Sequence, residues 1–205
     1  NVVGWHWFKF QDDENGNKGM VDVDGNLYTN LLSRMEQMNT QIYNFIDYVD
    51  SQPVPDVSAV PEADAYFKGA VNYGGEPELW VKNASASVYR EAYLRFDLPE
   101  GVPSDIAAAT IHVRSVAAGS ESGNYQAELV ADNSWEEMSL TVNNRPPGST
   151  VLAAWSDGDD VTLDVTDVLR DTLATGNQLS VRIICLLNNG SIARYGAREN
   201  ANSNA

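Results

Sequence analysis

The sequence predicts a mainly β protein: a β-sandwich over residues 62–205, preceded by one strand and one helix within residues 1–52. Three observations support this fold class. Short alternating apolar runs separated by turn residues follow residue 62. An aromatic run and then a helical apolar repeat precede residue 52. Residues 53–61 contain three prolines, a composition typical of an extended linker.

Residues 1–52 read as one strand, a polar loop and one amphipathic helix. The run at 2–10 is rich in aromatic residues and predicts a buried strand, and Asp24-Gly25-Asn26 is a turn signal. Apolar residues recur at helical spacing from 28 to 49, with Thr29 or Asn30 as the expected cap. One strand and one helix cannot bury a core, so we expect the last unit of a (β/α)8 barrel, present here as a fragment.

The sandwich region contains eight candidate strands and one helical turn. The turn is predicted at 167–175, where apolar residues share a face and Gly176 can end it. Asn72-Tyr73-Gly74 reads as a loop, because Asn and Gly favour turns. The candidate strands are 65–68, 78–81, 91–98, 108–115, 125–131, 161–164, 179–187 and 192–195.

The composition excludes several classes of partner. The net charge of −16 argues against nucleic acid, whose phosphates require a basic surface, and no apolar stretch approaches the length of a membrane span. A local arginine cluster remains compatible with an anionic ligand. The single cysteine, Cys185, lies in an apolar run and is expected to be buried.

The first segment carries a resemblance to known enzymes. Residues 4–12 (GWHWFKFQD) followed by 17–21 (NKGMV) are similar to the C-terminal strand and loop of agarase and porphyranase barrels of glycoside hydrolase families 86 and 50. The resemblance implies a parent enzyme that acts on marine galactans.

The second segment resembles DNRLRE-type domains related to carbohydrate-binding module family 96. The central motif is 90–98 (REAYLRFDL). The supporting motifs are 72–74 (NYG), 134–137 (SWEE), 140–146 (LTVNNRP), 164–166 (DVT) and 197–199 (ARE). The resemblance implies a jelly-roll sandwich that binds acidic or galactan-type polysaccharide. Such domains end in one more strand than this sequence contains, so we expect a missing strand or an open edge.

Strand alternation selects the candidate binding residues. If Leu94 and Phe96 face the core, then Tyr93, Arg95 and Asp97 share the other face, where a ring can stack on a sugar and the charged groups can bind hydroxyls or sulfate. The alternative is a cross-strand ion pair on a solvated face. The remaining candidates for the same surface are Tyr73, Trp80, Tyr89, Arg90, Arg194, Tyr195 and Arg198.

No residue pattern indicates catalysis. Glycoside hydrolysis needs two carboxyl groups placed across a bond, and the acidic neighbours here lie on single segments. We expect no cofactor, except that the run 157–160 (DGDD) is compatible with Ca²⁺ or with a simple turn.

The sequence as a whole predicts a non-catalytic carbohydrate-binding module of a secreted, extracellular galactan hydrolase. Its expected partners are an acidic or sulfated polysaccharide and the catalytic barrel, without nucleic acid or membrane. The alternative is a structural spacer or adhesive sandwich that has no affinity for sugar.

Overall fold

A computed structural model describes residue 22 and residues 24–50, 56–116 and 123–201. The predicted strand at 2–10 and its loop, the prolines at 53 and 55 and the chain end at 202–205 lie outside these residues. The chain divides into two units, Asn1–Asp56 and Val57–Ala205.

The described part of the first unit is one helix, preceded by the predicted turn. The Asp22 carboxylate accepts hydrogen bonds from the backbone amides of Asp24 and Asn26, while Gly25 takes a φ of 87°, which favours glycine. Helix α1, Thr29–Asp50, has Tyr28 at the N-cap position, because the Tyr28 carbonyl accepts the first helical hydrogen bond, from the Leu32 amide at 3.0 Å. The predicted caps Thr29 and Asn30 lie inside the helix, so the cap prediction is wrong. Tyr43 and Phe45 of the helix are 67% and 66% exposed. The helix is confirmed, and the barrel stays a prediction.

The second unit is built from antiparallel strands and one short helix, α2 (Thr166–Thr175), at the predicted position. All eight predicted strands form, with ends shifted by up to two residues. Two strands were not predicted: β2, which replaces the expected loop at 72–74, and β7. The strands are β1 Ala63–Lys68, β2 Val71–Gly74, β3 Glu78–Lys82, β4 Arg90–Asp97, β5 Thr110–Val113, β6 Tyr125–Val130, β7 Gly148–Trp155, β8 Val161–Asp164, β9 Gln178–Cys185 and β10 Ile192–Gly196.

Strand pairing defines two groups of strands with a narrow connection. Strands β2, β1, β4, β9, β6 and β7 pair along several residues each, in that order. Strand β3 pairs fully with β10 but meets β4 only at Lys82 and Arg90. Among the described residues, one isolated bridge, between Ser115 and Tyr195, connects β10 to the residues that follow β5. Strand β5 itself pairs with β8.

The main core lies between these groups, as in a β-sandwich. Its buried residues come from alternate positions on both, including Leu94 and Ile183 from one group and Val81 and Leu163 from the other. Cys185 is 2% exposed and belongs to this core, as its apolar context predicts. The mainly β sandwich is confirmed, and the jelly-roll connectivity stays a prediction.

A second apolar cluster covers the opposite face of the larger group. Tyr93 and Phe67 project from this face, and Trp135 and Leu140 pack over them. Both come from the segment between β6 and β7, residues 131–147, which we call the covering segment. Gly74 lies under the same segment, where a side chain would overlap the carbonyl oxygen of Glu137. This face is therefore an interior surface.

Candidate functional site

Three aromatic rings form a stack beside the narrow connection between the strand groups. The β1–β2 register places Tyr66 opposite Tyr73, and their ring centroids lie 4.7 Å apart at 12°. Trp80 of β3 continues the stack at 6.3 Å from Tyr66, with the planes at 10°. Offset, near-parallel rings at these distances attract one another, so the stack fixes the position of Trp80.

Two arginines lie over the ring of Trp80. The guanidinium carbons of Arg90 and Arg194 are 5.2 and 5.5 Å from its centroid. Glu78 accepts a hydrogen bond from the Trp80 indole at 2.8 Å and lies 3.5 Å from Arg194. Cation–π attraction therefore holds two charges from different strands at one place. Trp80 is half-buried and carries both guanidinium groups over its ring, so this predicted binding residue is not a freely exposed ring.

Two lysines flank Arg90 on the neighbouring strands. The pairing registers place Lys68 of β1 and Lys82 of β3 each directly opposite Arg90. Like charges in cross-strand register repel one another. We call Lys68, Trp80, Lys82, Arg90 and Arg194 the cationic edge.

Most of the cationic side chains in the cationic edge have no carboxylate partner among the described residues. Unit Val57–Ala205 has ten lysines and arginines. Six of them pair with carboxylates of described residues. Within the described ranges, Lys68, Lys82, Arg90 and Arg114 have no such pair, and three of these four belong to the cationic edge.

Arg90 also carries an unused buried donor. Its Nε is buried and has no hydrogen-bond partner among the described residues, while Nη1 donates to the Val88 carbonyl at 3.4 Å. Buried donors are nearly always satisfied, so this donor requires an acceptor beyond the described residues, such as an ordered water or a ligand. Burial raises the pKa of the nearby Tyr66 hydroxyl to about 12, so this group supplies no negative charge to the cations.

A second charged cluster, on the covered face, is internally neutralised. Glu91 is 1% exposed and accepts hydrogen bonds from Tyr89 at 2.5 Å and Tyr93 at 3.0 Å. Arg145 lies 3.0 Å from the same carboxylate, and Arg182 at 3.6 Å also binds Glu128 at 2.6 Å. Every charge in this cluster has a partner, which is typical of a structural network.

This network corrects the prediction for Tyr93. Alternation correctly places its side chain away from the main core, but the ring is 0% exposed beneath Trp135 and cannot stack on a ligand. The half-buried Tyr89 donates to Glu91 on the same covered face. Burial and the Glu91 charge raise the pKa of both phenols.

Arg95 and Asp97 also fall outside the cationic edge. Arg95 pairs with Glu62 at 2.8 Å, donates to the carbonyls of Asn133 and Trp135 and lies over the Trp135 ring. It therefore fastens the covering segment. Asp97 is exposed and accepts a hydrogen bond from Gln178 at 2.8 Å. The predicted row of Tyr93, Arg95 and Asp97 shares one face but does not form an open binding surface.

The candidates Tyr195 and Arg198 also lie outside the cationic edge. Tyr195 is 0% exposed in the main core, where its hydroxyl accepts a hydrogen bond from the Trp155 indole, so the prediction of a surface role is wrong. Arg198 pairs with Glu137 and Glu199 away from the cationic edge. Of the ten predicted residues, the structure thus brings together Tyr73, Trp80, Arg90 and Arg194. Sequence reasoning missed Lys68 and Lys82, whose role depends on strand register.

The acidic run at 157–160 forms bends, and Asp160 accepts a hydrogen bond from the Ser115 amide at 2.7 Å. The turn interpretation therefore describes this run. Among described residues, the carboxylates whose spacing suits a metal ion are those of Asp64, Glu137 and Glu199, which lie in other segments.

The comparison with protein families agrees with this architecture. The model of carbohydrate-binding module family 96 matches residues 55–205, which covers the whole sandwich. The chain belongs to this family. The expected family membership is confirmed, and the family is one of non-catalytic binding domains. No curated protein matches the chain. In the described part of this family 96 member, neither helix combines the length and the apolar character needed to cross a membrane.

Proposed function

We propose that this family 96 module binds an anionic polysaccharide at the cationic edge. The observation that carries the proposal is the convergence of Arg90 and Arg194 on Trp80, with the buried Arg90 Nε lacking an acceptor among the described residues. Guanidinium groups bind sulfate and carboxylate through paired donors. The lysines opposite Arg90 add charge that a bound anion would neutralise.

The stacked rings supply the second element of recognition. Tyr73 is half-buried at the end of the aromatic stack that lies opposite Trp80, so this residue retains partial contact with solvent. An aromatic edge can pack against the apolar face of a pyranose while the cations hold its charged substituent. We favour a sulfated galactan, because residues 4–12 resemble galactan hydrolases.

We further propose that the module belongs to a secreted extracellular enzyme, with residues 1–52 forming the end of its catalytic barrel. The exposed Phe45 and Ile46 of α1 support this, because they belong to the apolar repeat of the helix, whose face needs an apolar partner layer. Keeping the barrel beside its polymer would raise the effective substrate concentration. Upstream coding sequence should encode the preceding barrel units, and an unrelated upstream domain would contradict this assignment.

Affinity electrophoresis of the whole chain tests the binding site. Gels containing agarose, porphyran, carrageenan or alginate distinguish neutral, sulfated and carboxylated polymers. We expect retardation in the sulfated gels that weakens as salt increases, because exposed charges are screened. Arg90→Gln or Arg194→Gln should each weaken binding roughly 10- to 100-fold, the usual effect of losing a hydrogen bond to a charged group.

Arg114→Gln is the matched control, since Arg114 is exposed and also without a carboxylate partner among described residues. It changes the net charge equally and should leave retardation nearly unchanged. Equal loss from all three variants would indicate only nonspecific attraction to the polymer. If the wild-type protein migrates freely in every gel, the spacer hypothesis replaces this proposal.

A further inference from the structure

Three carboxylates from distant parts of the chain meet at one end of the sandwich. Asp64 lies on β1, Glu137 on the covering segment and Glu199 after β10, and one oxygen from each lies within 4.8 Å of the others. Among described residues, no other group of three or more acidic, histidine or cysteine side chains has ligand atoms close enough together to hold a metal ion. This cluster shares no residue with the cationic edge.

Asp64 is the unusual member of this group. It is 1% exposed, and its Oδ1 has no hydrogen-bond partner among described residues. Its Oδ2 accepts the backbone amide of Arg198 at 2.6 Å. A buried carboxylate oxygen without a donor is costly, so this site is built for a further positive ligand.

The neighbouring charges leave the cluster negative. Arg198 donates to Glu137 at 3.0 Å and to Glu199 at 2.8 Å, and no other cation pairs with the three acids in the described ranges. The nearby Glu62 adds no positive charge and is itself paired with Arg95. Burial raises the pKa of Asp64 to about 6; the hydrogen bond from the Arg198 amide and the Arg198 charge oppose this rise, and the charges of Glu199 and Glu137 add to it. Three acids thus face one guanidinium.

We propose that Asp64, Glu137 and Glu199 bind a divalent cation of the Ca²⁺ class. The donors are all carboxylate oxygens, which calcium prefers, and the group has no histidine or thiolate that would favour zinc or copper. Calcium also accepts irregular geometry more readily than magnesium, which requires a near-octahedral shell. The Asp64 Oδ1 supplies the ligand atom that the protein leaves unused.

The bound ion would join three segments that are remote in sequence. It would tie the start of β1 to the covering segment and to the turn after β10. Asp64 and Glu137 are already linked through the Asp64 amide, which donates to Glu137 at 3.2 Å. Calcium should therefore stabilise the folded protein without any polysaccharide present.

Thermal unfolding of the whole chain, with calorimetric titration of CaCl₂ after EDTA treatment, tests this site. We expect saturable binding and a melting temperature that increases with Ca²⁺ up to about 1 mM, the range of extracellular calcium modules. Glu199→Gln removes a partly exposed ligand and should still fold. It should require at least roughly tenfold more Ca²⁺, since even outer-sphere changes alter metal affinity 10- to 100-fold.

Asp159→Asn is the matched control, because it removes one exposed acidic charge from the separate bend region. It should keep the wild-type calcium response. Asp64→Asn should abolish the response, and if this variant does not fold, Glu199→Gln decides. Unchanged wild-type melting at millimolar Ca²⁺, or identical responses of Glu199→Gln and Asp159→Asn, overturns the proposal. Because no polysaccharide is present, this result is independent of sugar binding.

Discussion

Replacing Glu91 with glutamine tests whether the network on the covered face is structural. Glu91 is 1% exposed and receives two tyrosine hydroxyls, with Arg145 at 3.0 Å and Arg182 at 3.6 Å. The substitution keeps the shape of the side chain and removes its charge. It leaves Arg145 without its carboxylate, whereas Arg182 retains Glu128.

The expected loss follows from the burial of this charge. Breaking a buried ion pair by removing one partner costs about 3–5 kcal/mol. We expect the low end, about 3 kcal/mol, because glutamine still offers one acceptor oxygen and Arg145 retains partial solvent contact. For a protein of this size, that loss lowers the melting temperature by roughly 6–12 °C.

Urea denaturation at neutral pH measures this loss as a lower midpoint at an unchanged slope. Glu62→Gln is the control: it removes an arginine partner at a similar distance, but from a side chain that is 42% exposed. Such a pair contributes about 0–1 kcal/mol. If both variants lose the same free energy of unfolding, burial does not set the strength of the Glu91 network, and the reasoning fails.

Two further substitutions test the segment that covers this face. Gly74→Ala should cost about 1–3 kcal/mol, because the methyl group would overlap the backbone of Glu137, whereas Gly176→Ala meets open space and should change the free energy of unfolding little. Leu140→Ala should cost about 2–5 kcal/mol, since this side chain is 0% exposed, against less than about 0.5 kcal/mol for Met138→Ala at 70% exposure. Chemical denaturation measures both pairs. Equal effects within either pair would show that the covering segment is not tightly packed.

Local periodicity predicted most of the fold because most strands alternate clearly. Strand β2 escaped prediction, because its Asn-Tyr-Gly composition favours turns and only pairing with β1 holds it extended. Strand β7 lies at a sheet edge, where only partial burial weakens the alternating pattern. Both strands depend on contacts that are remote in sequence.

The candidate site was only partly predictable for the same reason. Alternation separates the two faces of β4, but it cannot reveal that Trp135 and Leu140 cover one of them. It therefore offered Tyr93 as a surface residue although the ring is buried. The roles of Lys68 and Lys82 follow from their register with Arg90, which no local pattern encodes. The sequence named both arginines of the cationic edge without the lysines that increase its charge.

The narrow connection between the strand groups has a mechanical consequence. Strand β3 joins β4 through one residue pair, so a pulling force across this seam is carried by few hydrogen bonds. Arg90 lies on one side of the seam and Arg194 on the other, over the same indole ring. A polymer segment bound by both arginines would therefore connect the two sides of the seam. The module would then resist a shearing force best while it is bound to its polysaccharide.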